Sequence, residues 1–344
     1  MKRFRKELGA RLNPAGHSSL PNRHYITRVC LQSPNLPVNH PNLVTTMMNE
    51  QLDPRDAAAG QRFNEGNLGV PTGLRSDEQK IYGVSACRAI YQTRSDDLVR
   101  AYVTPYRLKL FGGMLRWCAA HRLAYHIIED ADMERVTQST HHEGVCLLVK
   151  ERPQPRLEEW LEIVGEVDGP QCVLLLEHVG NPHNLGAILR VAAHFGAVGV
   201  LVTGPMTRQP QLPAAVYRTS EGGAEHVPVV SLGTPYDALD KLRKGGFGVL
   251  ATSGRGRYNL YSTEFQLPKR CVLMLGSEER GLSPGLLAAA DAVIAIPGTG
   301  QVESLNIACA AATFLGEYWR QHPGLAAQPQ AMSGSSDGGY GAAE

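Results

Sequence analysis

The stretch Asn181-Pro182-His183-Asn184-Leu185-Gly186-Ala187-Ile188-Leu189-Arg190-Val191-Ala192-Ala193-His194-Phe195-Gly196 lies between two apolar runs, 172–177 before it and 198–203 after it. Short apolar runs on either side of a helical period read as β-α-β, the crossover unit of a parallel sheet. Arg190 then sits on the crossover helix. Residues 178–184 form the loop at the carboxyl end of the first strand, where open α/β sheets build their sites. A lone arginine in an otherwise apolar helix has two readings. It is a phosphate- or carboxylate-binding group near the strand end, or it belongs to the helix's solvent stripe.

Outward from this unit, strand-like runs alternate with helical patterns through residues 157–322, with further strands expected over 227–231, 248–251, 271–275 and 292–296. Several are continuously apolar, as strands covered on both faces must be. Upstream, apolar periodicity begins at Ile81-Tyr82-Gly83-Val84-Ser85-Ala86-Cys87. It continues as one compact α/β module with strands over 101–104, 124–128 and 145–150 and a helix over 109–121. The division expected is an extended or disordered segment at 1–78, a small α/β domain at 79–150, a linker at 151–168, a larger α/β domain at 169–322 and a disordered tail at 323–344. The linker opens with Pro153 and Pro155 at alternate positions, which disfavours both helix and ladder. The first segment is rich in Asn, Pro, Gly and Arg and shows no sustained period.

The net charge of +1 hides an asymmetry. Residues 1–150 carry 20 Lys and Arg against 14 Asp and Glu, whereas residues 151–344 carry 14 against 19. A basic first half suits a polyanion, with Arg88, Arg94, Arg100, Arg107, Lys109, Arg116 and Arg122 as phosphate-contact candidates and solvated helix faces as the alternative. The seven cysteines are scattered singly, which fits a reducing compartment. No signal-peptide core and no apolar stretch of bilayer length is present, so a cytoplasmic protein is expected.

Three segments following expected strands carry the candidate chemistry. The first is Asn184 to Arg190. In the second, Leu273-Met274-Leu275-Gly276-Ser277-Glu278-Glu279-Arg280-Gly281-Leu282-Ser283, a buried strand runs into charge flanked by glycines, which permits close backbone approach. In the third, Ile296-Pro297-Gly298-Thr299-Gly300-Gln301-Val302-Glu303-Ser304-Leu305-Asn306-Ile307-Ala308, a glycine loop enters an alanine-rich helix. Ser304 is placed to cap that helix, and Asn306 falls in its first turn as a polar amide that needs a partner. Tight turns with solvated charges, and an ordinary helix cap, are the plain alternatives. No dinucleotide fingerprint, Walker loop or Gly-x-Ser-x-Gly elbow occurs. His141, His142, His178 and His183 lack a third ligand at useful spacing, so no metal is expected.

In this order, the three segments resemble the signature motifs of the SpoU/TrmH family of RNA ribose 2′-O-methyltransferases, in the SPOUT superfamily, closest to its YfiF-type tRNA/rRNA branch. The likeness includes Thr219-Ser220-Glu221-Gly222-Gly223-Ala224-Glu225-His226-Val227-Pro228. It extends upstream through Ile81-Tyr82-Gly83 and His142-Glu143-Gly144-Val145, which look like the family's L30e-like RNA-binding domain. The resemblance implies an α/β fold in which a SPOUT methyltransferase domain, a parallel sheet tied in a trefoil knot, follows that small domain. It implies S-adenosylmethionine as methyl donor, tRNA or rRNA as substrate, and a homodimer formed through the knot region, without membrane or metal.

Carried over by the resemblance, the catalytic residues are Asn184, Arg190, Glu278, Ser304 and Asn306. Cofactor binding falls to Thr203, Leu275, Gly276, Ser277, Gly281, Ile296, Leu305 and Asn306, and RNA binding to Arg88, Arg107, Lys109, Arg116 and Arg190. A guanidinium with a pKa above about 12 is a poor general base, so Arg190 is assigned a clamping role toward a ribose-phosphate. Gly298 stands where the family often has methionine, and Glu279-Arg280 makes the second motif unusually charged. A non-catalytic RNA-binding dimer and a base methyltransferase remain the alternatives.

Overall fold

The computed structural model describes residues 75–204 and 211–323. Most of the expected extended segment 1–78, and the expected tail beyond residue 323, lie outside the described residues.

The first unit contains β1 (Glu78–Tyr82), α1 (Val84–Arg94), β2 (Leu98–Val103), α2 (Leu108–Ala120), β3 (Ala124–Ile127), α3 (Asp130–Thr137) and β4 (Val145–Lys150). Its sheet runs β1-β4-β2-β3, with β4 antiparallel to both neighbours and β2 parallel to β3. Ile81, Ile90, Phe111, Met114 and Leu147 fill its core. The edge strand β1 was not expected from the sequence. Its residues Glu-Gln-Lys-Ile-Tyr bury only Ile81 fully, because an edge strand with one covered face needs few apolar letters.

The second unit comprises α4 (Leu157–Glu166), β5 (Gln171–Glu177), α5 (Pro182–His194), β6 (Gly199–Val202), α6 (Ala214–Thr219), β7 (Val229–Ser231), α7 (Pro235–Lys244), β8 (Gly248–Thr252), β9 (Tyr258–Asn259), β10 (Arg270–Gly276), α8 (Pro284–Ala288), β11 (Ala292–Ala295) and α9 (Ile307–Gln321). Its seven strands are ordered β7-β6-β5-β10-β8-β11-β9, and every neighbouring pair is parallel. All seven residues of β5 are buried. Cys172, Leu174 and Leu176 pack with Leu185, Ile188 and Leu189 of α5 and with Phe314 of α9. Val173 and Leu175 face the other way, against Trp160, Leu239 and Leu286. The two-residue alternation of a strand thus serves two helical layers at once.

The segment expected as a linker is only partly one. Residues 151–156 lack regular structure, but Leu157–Glu166 is a helix. Its fully buried Trp160 donates from Nε1 to the Val198 carbonyl (3.1 Å). The indole occupies space that a Cβ on Gly199 would invade at 2.7 Å. Burying a tryptophan supplies on the order of 3 kcal/mol, which fixes this helix to the sheet instead of leaving it a tether.

The two units share a seam. Arg94, at the end of α1, donates through Nε and Nη2 to both carboxylate oxygens of Glu225 (2.9 to 3.1 Å) and through Nη1 to the Lys150 carbonyl (3.0 Å). Arg152 reaches the same carboxylate at 3.1 Å. Arg94 therefore belongs to the fold and not to the phosphate-contact surface the sequence suggested for it.

Candidate functional site

Helix α5 begins with Asn181, whose Oδ1 accepts from the His183 N–H (2.9 Å), followed by Pro182 at the first helical position. Asn184 consequently lies inside the helix's first turn, not in the preceding loop. The buried face runs through Leu185, Gly186, Ile188, Leu189 and Ala192. Gly186 is required there, because a Cβ would stand 2.7 Å from the Thr219 Cβ on α6.

At the end of β10 the Gly281 N–H donates to the Ser277 carbonyl (2.8 Å), closing a tight turn that presses Gly281 against Gly276. A Cβ on Gly276 would collide with the Gly281 backbone. The close approach expected at these glycines is therefore made by the loop to itself. Its far end is pinned by Glu177, buried at the end of β5, whose Oε2 accepts from the Ser283 N–H (2.6 Å). The turn leaves Glu278 exposed at its tip.

The loop after β11 ends at Asn306, which caps α9 by accepting the Ala308 N–H on Oδ1 (2.9 Å). The cap is thus Asn306 and not Ser304, which is exposed two residues earlier. With Oδ1 committed to the helix, the amide nitrogen of Asn306 points outward and donates to Asn184 Oδ1 (3.3 Å). That orients Asn184 so that its own Nδ2 donates to Glu278 Oε1 (2.5 Å). One directional chain, Asn306 to Asn184 to Glu278, joins all three segments. On the loop that leads to Asn306, Leu305 is 46% and Val302 72% exposed, while Ile296 is half-buried against the core. Leu275 and Thr203 bury their side chains, and the Thr203 N–H donates to the Leu176 carbonyl (3.0 Å).

Arg190 stands apart from that chain. Its side chain is 61% exposed and pairs through Nη1 with Glu221 Oε1 at 3.3 Å. The reading of Arg190 as a solvent-side residue of α5 is the correct one for its location. No hydrogen bond or ion pair among the described residues connects it to Asn184. Of the other basic candidates, Arg88 and Lys109 are exposed and Arg116 is half-buried. Arg107 donates from Nε to the Glu143 carbonyl (2.9 Å) and lies over the Tyr106 ring at 5.4 Å. Glu143 in turn accepts the Val84 N–H at the start of α1 (2.8 Å). Sequence reasoning gave no role to Glu221, Ser85 or Glu177. The Glu-Gly-Gly run at 221–223 was the available signal for the first. Among the described residues no group of three or more His, Cys, Asp or Glu could hold a metal, and no helix is long and apolar enough to cross a membrane.

Residues 171–316 match the family described as SpoU rRNA Methylase family, and residues 80–155 match the one described as RNA 2′-O ribose methyltransferase substrate binding. The chain is 39% identical over 248 residues to the uncharacterized tRNA/rRNA methyltransferase YfiF of Escherichia coli O157:H7, covering 72% of this chain and 70% of that one. It is 30% identical over 250 residues to the 23S rRNA (guanosine-2′-O-)-methyltransferase RlmB of Pseudomonas putida, covering 72% and 98% respectively. Among solved structures, a protein described as an RNA methyltransferase of the TrmH family from Porphyromonas gingivalis superposes with a TM-score of 0.55 at 26% identity, over 72% of this chain and 91% of that one. The AviRb methyltransferase of Streptomyces viridochromogenes, solved with AdoMet, shares the fold at a TM-score of 0.57 and 21% identity, over 72% and 94%. An α/β chain with this parallel sheet, this leading substrate-binding unit and these relatives belongs to the SpoU/TrmH family of RNA methyltransferases.

Proposed function

We propose that the protein transfers a methyl group from S-adenosylmethionine to a ribose 2′-OH of tRNA or rRNA. The observation that carries this reading is the hydrogen-bond chain through Asn184, which gathers Glu278 and Asn306 from two separate strand-end loops onto the first turn of α5. An arrangement of neutral amides ending on an exposed carboxylate is suited to orienting a hydroxyl, since the carboxylate keeps acceptor capacity after taking one hydrogen bond.

The residues present fit the cofactor. The Gly276–Gly281 turn leaves open space where a Cβ on Gly281 would stand, and Leu305 and Val302, on the loop that ends at Asn306, expose apolar side chains. Backbone groups of Leu275, Gly276, Ser277 and Gly281, with Ile296 and Leu305, would hold the donor, whose sulfonium supplies an electrophilic methyl group. Glu278, fixed by Asn184, orients the 2′-OH, and Arg190 clamps the adjoining phosphate through its guanidinium fork. The hydroxyl proton leaves to water or a nearby acceptor, since an arginine is not a base at neutral pH. Arg88, Arg107, Lys109 and Arg116 extend the phosphate-binding surface onto the first unit. A homodimer through the knot region belongs to the same reading.

Tritium transfer from methyl-labelled S-adenosylmethionine to unfractionated tRNA or rRNA tests it. The expected product is a labelled nucleotide whose 3′ phosphodiester resists alkali. Label in alkali-labile nucleotides would instead make the protein a base methyltransferase. No transfer to any RNA would leave a binding protein.

A further inference from the structure

Arg190 and the first unit are joined by a single carboxylate. Glu221 Oε1 forms an ion pair with Arg190 Nη1 (3.3 Å), and its Oε2 accepts the hydroxyl of Ser85 on α1 (2.9 Å). The backbone that carries Glu221 is wedged in place. Glu221 has φ 50 and Gly222 φ 89, both in the left-handed region, where only Gly222 is free of a side-chain penalty. A Cβ on Gly222 would stand 2.7 Å from the Ala89 Cβ of α1, and one on Gly223 would stand 2.7 Å from the Leu189 carbonyl oxygen and 3.0 Å from the Arg190 Cα. The segment thus touches the substrate-binding unit with one residue and the Arg190 backbone with the next, which fixes the backbone from which the Glu221 side chain departs.

We infer that Glu221 is a positioning residue that holds the Arg190 guanidinium as an internal stand-in for an RNA phosphate and is displaced when RNA binds. The inference rests on the proposed assignment of Arg190 to the RNA backbone. An exposed ion pair is weak and exchangeable. A phosphate offers the same fork two acceptors in bidentate geometry, where Glu221 meets it with one oxygen and turns the other to Ser85. The exchange needs no bond-making step. Ser85 gives the substrate-binding unit a hold on the competitor, so engagement of RNA by that unit and release of Arg190 act on one carboxylate.

Equilibrium binding of the full chain to unfractionated tRNA and rRNA, at fixed ionic strength and without cofactor, tests this. Glu221→Gln removes the competing charge and should tighten binding about two- to fivefold, the range of an exposed pair. Ser85→Ala loosens the anchor while keeping the charge and should give a smaller gain in the same direction. Both gains should vanish in an Arg190→Ala background. Equal tightening with and without Arg190 would mean that Glu221 merely repels RNA, and unchanged or weaker binding would mean that it only supports the fold. Either result overturns the inference. A wild-type chain that methylates RNA while the cycle fails sinks the inference alone, whereas a chain that neither binds nor methylates RNA sinks the functional reading with it.

Discussion

Two arginine–glutamate pairs have their glutamates four residues apart on the segment that packs against the first unit, and burial separates their roles. At Arg94–Glu225 the two side chains are 3% and 1% exposed, three hydrogen bonds cross between them, and Arg152 and the Thr93 hydroxyl donate to the same carboxylate. At Arg190–Glu221 they are 61% and 46% exposed, with one ion-pair contact. A desolvated pair cannot lose one partner cheaply, because the other is stranded out of water. A wet pair can exchange its partner for another anion at little cost. The same residue types therefore build a fixed joint at one end of the segment and a replaceable contact at the other.

The largest effect is expected at the joint. Glu225→Ala leaves the buried Arg94 with only the longer ion pair to Asp97 and the Lys150 carbonyl, and should cost about 3–5 kcal/mol of stability in denaturant unfolding. A loss under about 1 kcal/mol would erase the distinction between the pairs. The next effect lies in activity. Arg190→Ala should lower methyl transfer at least about 10²–10³-fold, the scale of removing one well-placed charge-stabilising group. Cofactor affinity by calorimetry should be nearly unchanged, because among the described residues no hydrogen bond or ion pair joins Arg190 to the loops proposed to hold the donor. A normal turnover rate would remove Arg190 from the site.

The contrast also marks what the sequence could reveal. The strand β5 is legible because both of its faces are buried, so all seven positions are constrained: five are hydrophobic letters, and the two polar ends, Gln171 and Glu177, are hydrogen-bonded. The edge strand β1 was hidden by Glu78, Gln79 and Lys80, and α4 by the two prolines that precede it. The three chemistry-bearing segments could be found one by one from glycines and polar residues at strand ends. Their junction could not, because Asn184, Glu278 and Asn306 are brought together by the order of strands in the sheet, which local periodicity does not encode. The side of α5 that Arg190 occupies was present in the spacing of Leu185, Ile188, Leu189 and Ala192. Its partner Glu221 was not, since 31 positions of chain separate them. For the same reason Arg94 looked like any other arginine in a basic half until its carboxylate was located.

A smaller effect is expected for Glu221→Ala, which should change stability by less than about 1 kcal/mol and lose that difference as salt is raised. Retention of a larger cost in high salt would show that the exposed pair is a second joint, and would weaken the case for exchange.

The smallest effect separates the joint from the first unit by pH. Burial draws the Arg94 pKa down, but the charge and hydrogen bonds of Glu225 outweigh it and leave the guanidinium above its ordinary value, so it stays charged throughout the working range. His126 on β3, stacked on Tyr102, behaves oppositely: burial first and the charge of Arg100 second hold its pKa below the usual histidine value. As pH falls below about 6.5, the unfolded chain takes up that proton before the folded one does. Stability from this source is therefore whole above about 6.5 and declines as pH falls toward the lowered folded value. His126→Gln should flatten that part of the stability profile, whereas Glu225→Ala should lower the whole profile and leave its slope in this window. If the slope disappears with Glu225 and survives the loss of His126, then the buried joint, and not the imidazole, is the acid-sensitive element.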